Sequence, residues 1–205
     1  MTQETMKKVG SDSIFLPIDA GSDNRYRIVS GIKGVKQHGF QVGDNWRFPI
    51  CPTAQKNWEN ETNGTNEEVP QCPLCLAGTS EKMKKVGVQF FALAIDRKTG
   101  KLGVLKQGIM LFKIIMAMAH DEDWGDLSQY DIKVTKTGEG KETKYSALGV
   151  PNKTPLTDEE KKMIEESDID LDKMCIPNDF DKLVEIAGID PEKIKSVVKG
   201  DIPFA

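Results

Sequence analysis

Apolar positions recur in short alternating runs along the first 150 residues, and turn residues interrupt them every few positions. Residues 13–18 read as a short strand ending near Pro17. In 25–35, Tyr26, Ile28, Ile32 and Val35 share one side if Gly31 marks a bulge. Gly43-Asp44-Asn45 forms a turn, and Trp46-Arg47-Phe48 starts another strand. Residues 52–71, rich in Asn, Glu and Thr, read as a loop. Residues 86–95 are the most apolar strand, with a turn at 96–100 and a return strand at 101–106. Residues 109–120 are apolar nearly all round and predict a buried packing helix. Residues 131–137 and 142–147 form a hairpin about Gly138-Glu139-Gly140. Beyond a linker at 151–155 the period turns helical. Thr157-Asp158-Glu159-Glu160 is a capping box, Asn178 caps a helix that Gly188 closes, and Pro191 opens a last helix through Val198.

Short strands, tight turns and one central helix predict a mainly β fold, an OB-type Greek-key barrel. The expected organisation is a flexible N-terminal arm at 1–12, a core at 13–150 and an acidic helical C-terminal region at 151–205. Charge sharpens this division. Residues 157–205 carry 14 acids and 7 lysines, leaving 18 acids and 21 bases for residues 1–156. A mildly basic body can meet an anionic polymer, and an acidic tail can compete for the same surface or recruit partners. No apolar run of about 18 residues is present, so no membrane span is expected. The N-terminal Met-Thr-Gln-Glu-Thr-Met-Lys-Lys lacks the apolar core of a signal peptide, which points to the reducing cytoplasm. There, cysteines suggest metal more than disulfides.

His38, Cys51, Cys72 and Cys75 follow the pattern His-x12-Cys-x20-Cys-x2-Cys. One imidazole and three thiols make up a closed tetrahedral zinc site. The Cys-Pro-Leu-Cys spacing lets two thiolates face one ion. A zinc deaminase needs His-x-Glu and Pro-Cys-x-x-Cys. Here Gly39 and Phe40 follow His38, and Gln71 separates Pro70 from Cys72. The expected zinc is therefore structural, in a lobe spanning about 38–85, and no catalysis is expected.

Bases lie beside aromatics in Arg25-Tyr26-Arg27, Trp46-Arg47-Phe48 and Lys144-Tyr145. On an OB-type surface, aromatics stack unpaired bases while Lys and Arg follow phosphates. Trp46, Tyr145 and one of Phe90 and Phe91 are the stacking candidates, because strand neighbours point to opposite faces. Arg25, Arg27, Lys36, Arg47, Lys106, Lys133 and Lys136 are the phosphate candidates.

The segment His38-Gly39-Phe40-x5-Trp46-x4-Cys51 resembles the zinc-containing, helix-destabilising single-stranded DNA-binding proteins of large tailed phages. The Cys-Pro-x-Cys knuckle at 72–75 continues the likeness, although the loop between Cys51 and Cys72 is longer here. Phe15-Leu16-Pro17, the segment 100–119 and Ile132-Lys133-Val134-Thr135-Lys136 are similar to other stretches of that family. The resemblance covers roughly 13–150. It implies binding of single-stranded DNA with little sequence preference, in replication, recombination or repair. Met-Lys-Lys-Val-Gly occurs at 6–10 and again at 83–87. It resembles the family's repeated basic motif, which implies self-association along the strand. Asp201-Ile202-Pro203-Phe204 resembles the partner-docking tip of bacterial single-stranded DNA-binding proteins, which implies replication or recombination partners for the tail. The rival reading is a zinc-braced adaptor of the replication machinery that does not bind nucleic acid. On the first reading, removing 157–205 should strengthen binding.

Overall fold

The computed structural model describes residues 13–77, 81–190 and 194. The arm at 1–12, the tip residues Asp201, Ile202, Pro203 and Phe204, and most of the helix expected from Pro191 lie outside them. Eight strands are present: β1 Gly21–Ile28, β2 Lys33–His38, β3 Phe40–Val42, β4 Asn45–Arg47, β5 Val86–Asp96, β6 Leu102–Gly108, β7 Ile132–Thr137 and β8 Lys144–Gly149. Seven α-helices are described: α1 Pro52–Asn63, α2 Pro73–Ala77, α3 Glu81–Lys84, α4 Ile109–Ala119, α5 Asp158–Glu165, α6 Leu171–Met174 and α7 Phe180–Ala187. The chain forms two units, one from Met1–Lys33 and Phe90–Leu171, the other from Gly34–Gln89 and Asp172–Ala205.

In the first unit β1 lies between β5 and β7, β8 follows β7, and β6 pairs with β5. The sheet is mainly antiparallel and open. Residues 13–18 contribute no full strand; Phe15 makes one parallel bridge to Val104. Gly103 permits this approach, because a Cβ there would come within 2.7 Å of the Ile14 carbonyl oxygen. On the inner face, Tyr26, Ile28, Ile132 and Val134 are buried. Helix α4 adds Leu111, Phe112 and Ile115, while Met110 is 72 % exposed. The helix therefore buries one stripe at helical spacing rather than its whole circumference.

The opposite side of β1 carries a polar cluster. Arg27 is 1 % exposed. Its Nε donates to Asp131 Oδ1 at 2.7 Å, and its Nη1 donates to the carbonyls of Ser128 and Thr154 at 2.9 and 2.7 Å. Arg97 Nε donates to the same Asp131 oxygen at 2.8 Å, and Arg97 also pairs with Glu160. Glu160 is the third residue of α5, whose capping box with Thr157 is formed as expected. Burial works against ionisation of Asp131, but hydrogen bonds from Arg97 and Arg27 outweigh it and hold the carboxyl below its ordinary value. A depressed folded-state pKa contributes stability that is present above the unfolded value, near pH 4, and is lost as pH falls through the folded value. Acid unfolding followed by circular dichroism should show this loss below about pH 4. In Asp131→Asn that part of the pH dependence should be absent.

The second unit begins where β1 and β2 part. The expected single run through Gly31 is two strands with a loop between them. Strands β3 and β4 form a hairpin with Gln41 opposite Trp46, turning at Gly43 with φ 58°. Residues 52–71 are largely helical rather than a loop. Cys51 accepts from the Ala54 amide as N-cap, Pro52 occupies the first turn, and Gly64 closes α1 in the left-handed region. These are ordinary start and stop signals, masked in sequence by the Asn, Glu and Thr content between them.

The core of this unit joins Phe40, Leu74 and Met83 to Leu183, Ala187, Ile189 and Ile194. Helix α7, capped by Asp179 rather than Asn178, buries Leu183 and Ala187 at an i, i+4 spacing. Its neighbours in sequence are acidic, yet this stripe is core. Deleting 157–205 would thus strip apolar packing from the second unit, and the truncation could not report on electrostatic competition alone. Leu183→Ala should cost about 2–5 kcal/mol, read as a lowered denaturant midpoint.

Candidate metal centre and aromatic surface

Local hydrogen bonding brings the four ligand-type side chains together. The His38 amide donates to the Pro49 carbonyl at 2.9 Å, and the Cys51 amide donates to the Lys36 carbonyl at 2.7 Å. Gln37 bridges to Ile50 between them. This pairing fixes His38 and Cys51 side by side. Cys72 immediately precedes α2, and its carbonyl accepts from the Leu76 amide at 3.1 Å. One helical turn then presents Cys75 on the same side.

His38 Nε2 lies 3.3 Å from Cys72 Sγ and 3.9 Å from Cys75 Sγ, and the Cys51 and Cys75 sulfurs are 3.6 Å apart. All four candidate ligand atoms lie within 4.8 Å of one another. A tetrahedron with metal–sulfur bonds of about 2.3 Å has edges of about 3.8 Å. A disulfide would need about 2.0 Å between sulfurs. The spacing therefore suits a structural metal ion and not a cystine. His38, Cys51 and Cys72 are buried, and Cys75 is the most exposed of the four.

The four side chains perturb one another strongly. Hydrogen bonds from Cys72 and Cys75, with the Ala54 amide at the start of α1, pull the Cys51 thiol far below the usual range. Cys75 is pushed up by its bonds to Cys51 and Cys72, as expected when neighbouring thiols compete to ionise. Burial disfavours a charged imidazole, but bonds to Cys51 and Cys72 outweigh it and raise His38 to about 9. Cys51 is thus drawn towards the thiolate, while a dication binding here would displace the protons that Cys75 and His38 hold. His38 Nδ1 is buried without a hydrogen-bond partner among the described residues.

The nucleic-acid candidates fare unevenly. In the second unit Trp46 is 54 % exposed and stacks on Phe48, with centroids 5.9 Å apart and planes 9° from parallel. Arg47 stands between them in sequence and is half-buried. Lys36 sits over the ring of Trp58 at 4.8 Å, a contact of cation–π type. Its amide is held by Gln55 Oε1 at 2.8 Å. Nothing in the polar composition of residues 52–71 marks Trp58 or Gln55, which only helix α1 brings beside Lys36.

In the first unit Lys133 is exposed, opposite Arg25 on one side and Leu148 on the other. Arg25 is half exposed and pairs with Asp131 at 3.1 Å. Lys136, three positions along β7, faces the other side of the sheet. It donates to the Ile18 carbonyl at 3.2 Å and lies opposite Tyr145. Lys106 is half-buried, with Phe15 at 5.5 Å and Phe91 at 5.3 Å, and burial lowers its pKa.

Two expectations need correction. Arg27 is committed to Asp131, Ser128 and Thr154 and leaves no surface for a phosphate. Phe90 and Phe91 are 6 % and 5 % exposed, so neither offers a stacking face. Strand β5 is covered on both sides at these positions: Phe90 packs on Phe112 at 5.6 Å, and Phe91 lies against Lys106.

No protein-family model matches this chain, and no curated protein matches it. No helix among the described residues is long and apolar enough to cross a membrane.

Proposed function

We propose that this chain binds single-stranded DNA with little sequence preference, on an OB-type surface braced by structural zinc and without catalysis. The observation that carries this reading is the solvent-facing stack of Trp46 on Phe48, whose Phe48 lines one cleft with the candidate ligand His38. Large aromatic rings left half exposed lose the benefit of burial. A parallel pair instead offers a planar platform on which an unpaired base can stack whatever its identity. The His-x12-Cys-x20-Cys-x2-Cys donor set favours zinc, and four protein ligands leave no position for an activated water. The platform is thus held, not made reactive. In the first unit, exposed Lys133 and partly exposed Arg25 supply charge suited to phosphate.

The test is a titration of labelled oligo(dT) at two salt concentrations. Saturable binding that weakens as salt rises is expected, with a slope of about 0.7 per phosphate neutralised on a single strand. Absence of saturable binding at low salt would discard the reading in favour of a zinc-braced adaptor.

A further inference from the structure

A cleft opens in the second unit beside the Trp46–Phe48 platform. Its volume is about 250 Å³, and Gln37, Phe48, Lys85, Gly87 and Gln89 line it. Clefts that enclose drug-sized ligands run from about 300 to 1,000 Å³, so this one suits a fragment the size of a single nucleobase. Gly87 and Gln89 are alternate residues at the start of β5 and share a face, and Lys85 immediately precedes the strand. Gly87 leaves a gap in that row: a Cβ there would meet nothing within 4 Å. Across the cleft, Gln37 is only 7 % exposed. Its amide makes no hydrogen bond among the described residues, so its donor and acceptor are open to a ligand. Phe48 supplies an aromatic wall, and Lys85 stands exposed at the rim.

We propose that this cleft takes one unstacked base of the bound strand, seated against Phe48 with its pairing edge on Gln37. The proposal rests on the single-stranded DNA reading above and names a base site within it. A carboxamide presents one acceptor and one donor side by side. That pair matches O4 and N3–H of thymine, and after rotation of the amide it matches N4–H2 and N3 of cytosine. The same pair matches N6–H2 and N1 of adenine, and each base offers such a neighbouring donor and acceptor, so the site takes a base whatever its identity. Gln89 and Lys85 flank the entrance, where the sugar and phosphate of the same nucleotide would lie.

The experiment compares oligo(dT), oligo(dA) and an abasic oligomer of equal length with the full-length protein. Unmodified protein should bind both base-bearing oligomers more tightly than the abasic one. Gly87→Leu fills the gap in the strand, and Gln37→Leu removes the amide at similar volume. Each should weaken oligo(dT) binding about tenfold and leave the abasic oligomer unaffected, with metal content and melting temperature unchanged. Variants that keep their metal and bind oligo(dT) as tightly as the unmodified protein would overturn the base site while leaving strand binding intact. Absence of saturable binding to any oligomer by the unmodified protein would overturn both. As a check without substitution, photocrosslinking of an iodouracil-substituted oligomer should map to Phe48 or to the start of β5. Crosslinks confined to other segments would refute the site.

Discussion

Cys72→Ser is expected to lose the metal and unfold the second unit. Cys72 and Cys51 are members of its hydrophobic core as well as candidate ligands. The rest of that core is a modest set of aliphatic and aromatic side chains from Phe40, Leu74, Met83 and α7. Structural zinc contributes on the order of 10–16 kcal/mol to small modules, while a whole domain is commonly stable by about 5–15 kcal/mol. Removing one ligand therefore removes a quantity comparable to the entire stability. Elemental assay should fall from one equivalent of metal towards none. Hydrogen exchange across β2, α1 and α7 should lose protection together, and a chelator should do the same to the unmodified protein. Retained protection in a metal-free sample would show that apolar packing suffices and that the cluster braces nothing.

Trp46→Ala should weaken oligonucleotide binding by about 5- to 150-fold, from about 1–3 kcal/mol of stacking per base. Its ring is more than half exposed, so truncation sacrifices little packing and metal content should not change. Trp46→Phe should recover most of the affinity, because the platform survives with a smaller face. Fluorescence anisotropy at fixed salt reads both variants. Equal affinity for Trp46→Ala and the unmodified protein would remove the platform from the binding surface. Arg27→Ala provides a contrast. Its loss leaves Asp131 short of a partner in a buried cluster, so the expected effect is on melting temperature rather than on the salt dependence of binding.

Much of the local architecture was legible in the chain. The hairpin of β7 and β8, the strand β5, the turn at Gly100 and the capping box at Thr157 all follow from periods and turn residues acting over a few positions. The four ligand-type residues were legible because Cys-x-x-Cys constrains geometry within one turn, while an upstream His and Cys complete a recognisable donor set. Helix α1 was hidden although its signals were present: Pro52 and Gly64 frame it, but polar composition suggested a loop. Gln37, Gly87 and Gln89 carried no signal at all, because an amide and a missing side chain acquire meaning only from what stands opposite.

The sequence by itself determined which residues can bind a metal, where the chain turns and which stretches alternate, since those properties depend on side-chain chemistry and near neighbours. Tertiary structure alone decided that Arg27 is buried and Trp46 exposed, that Phe90 and Phe91 are both covered, and that Leu183 from an acidic stretch is core. The physical reason is that burial is set by contacts between segments distant along the chain. An arginine beside a strand reads alike whether it meets solvent or, as here, an aspartate about a hundred residues away.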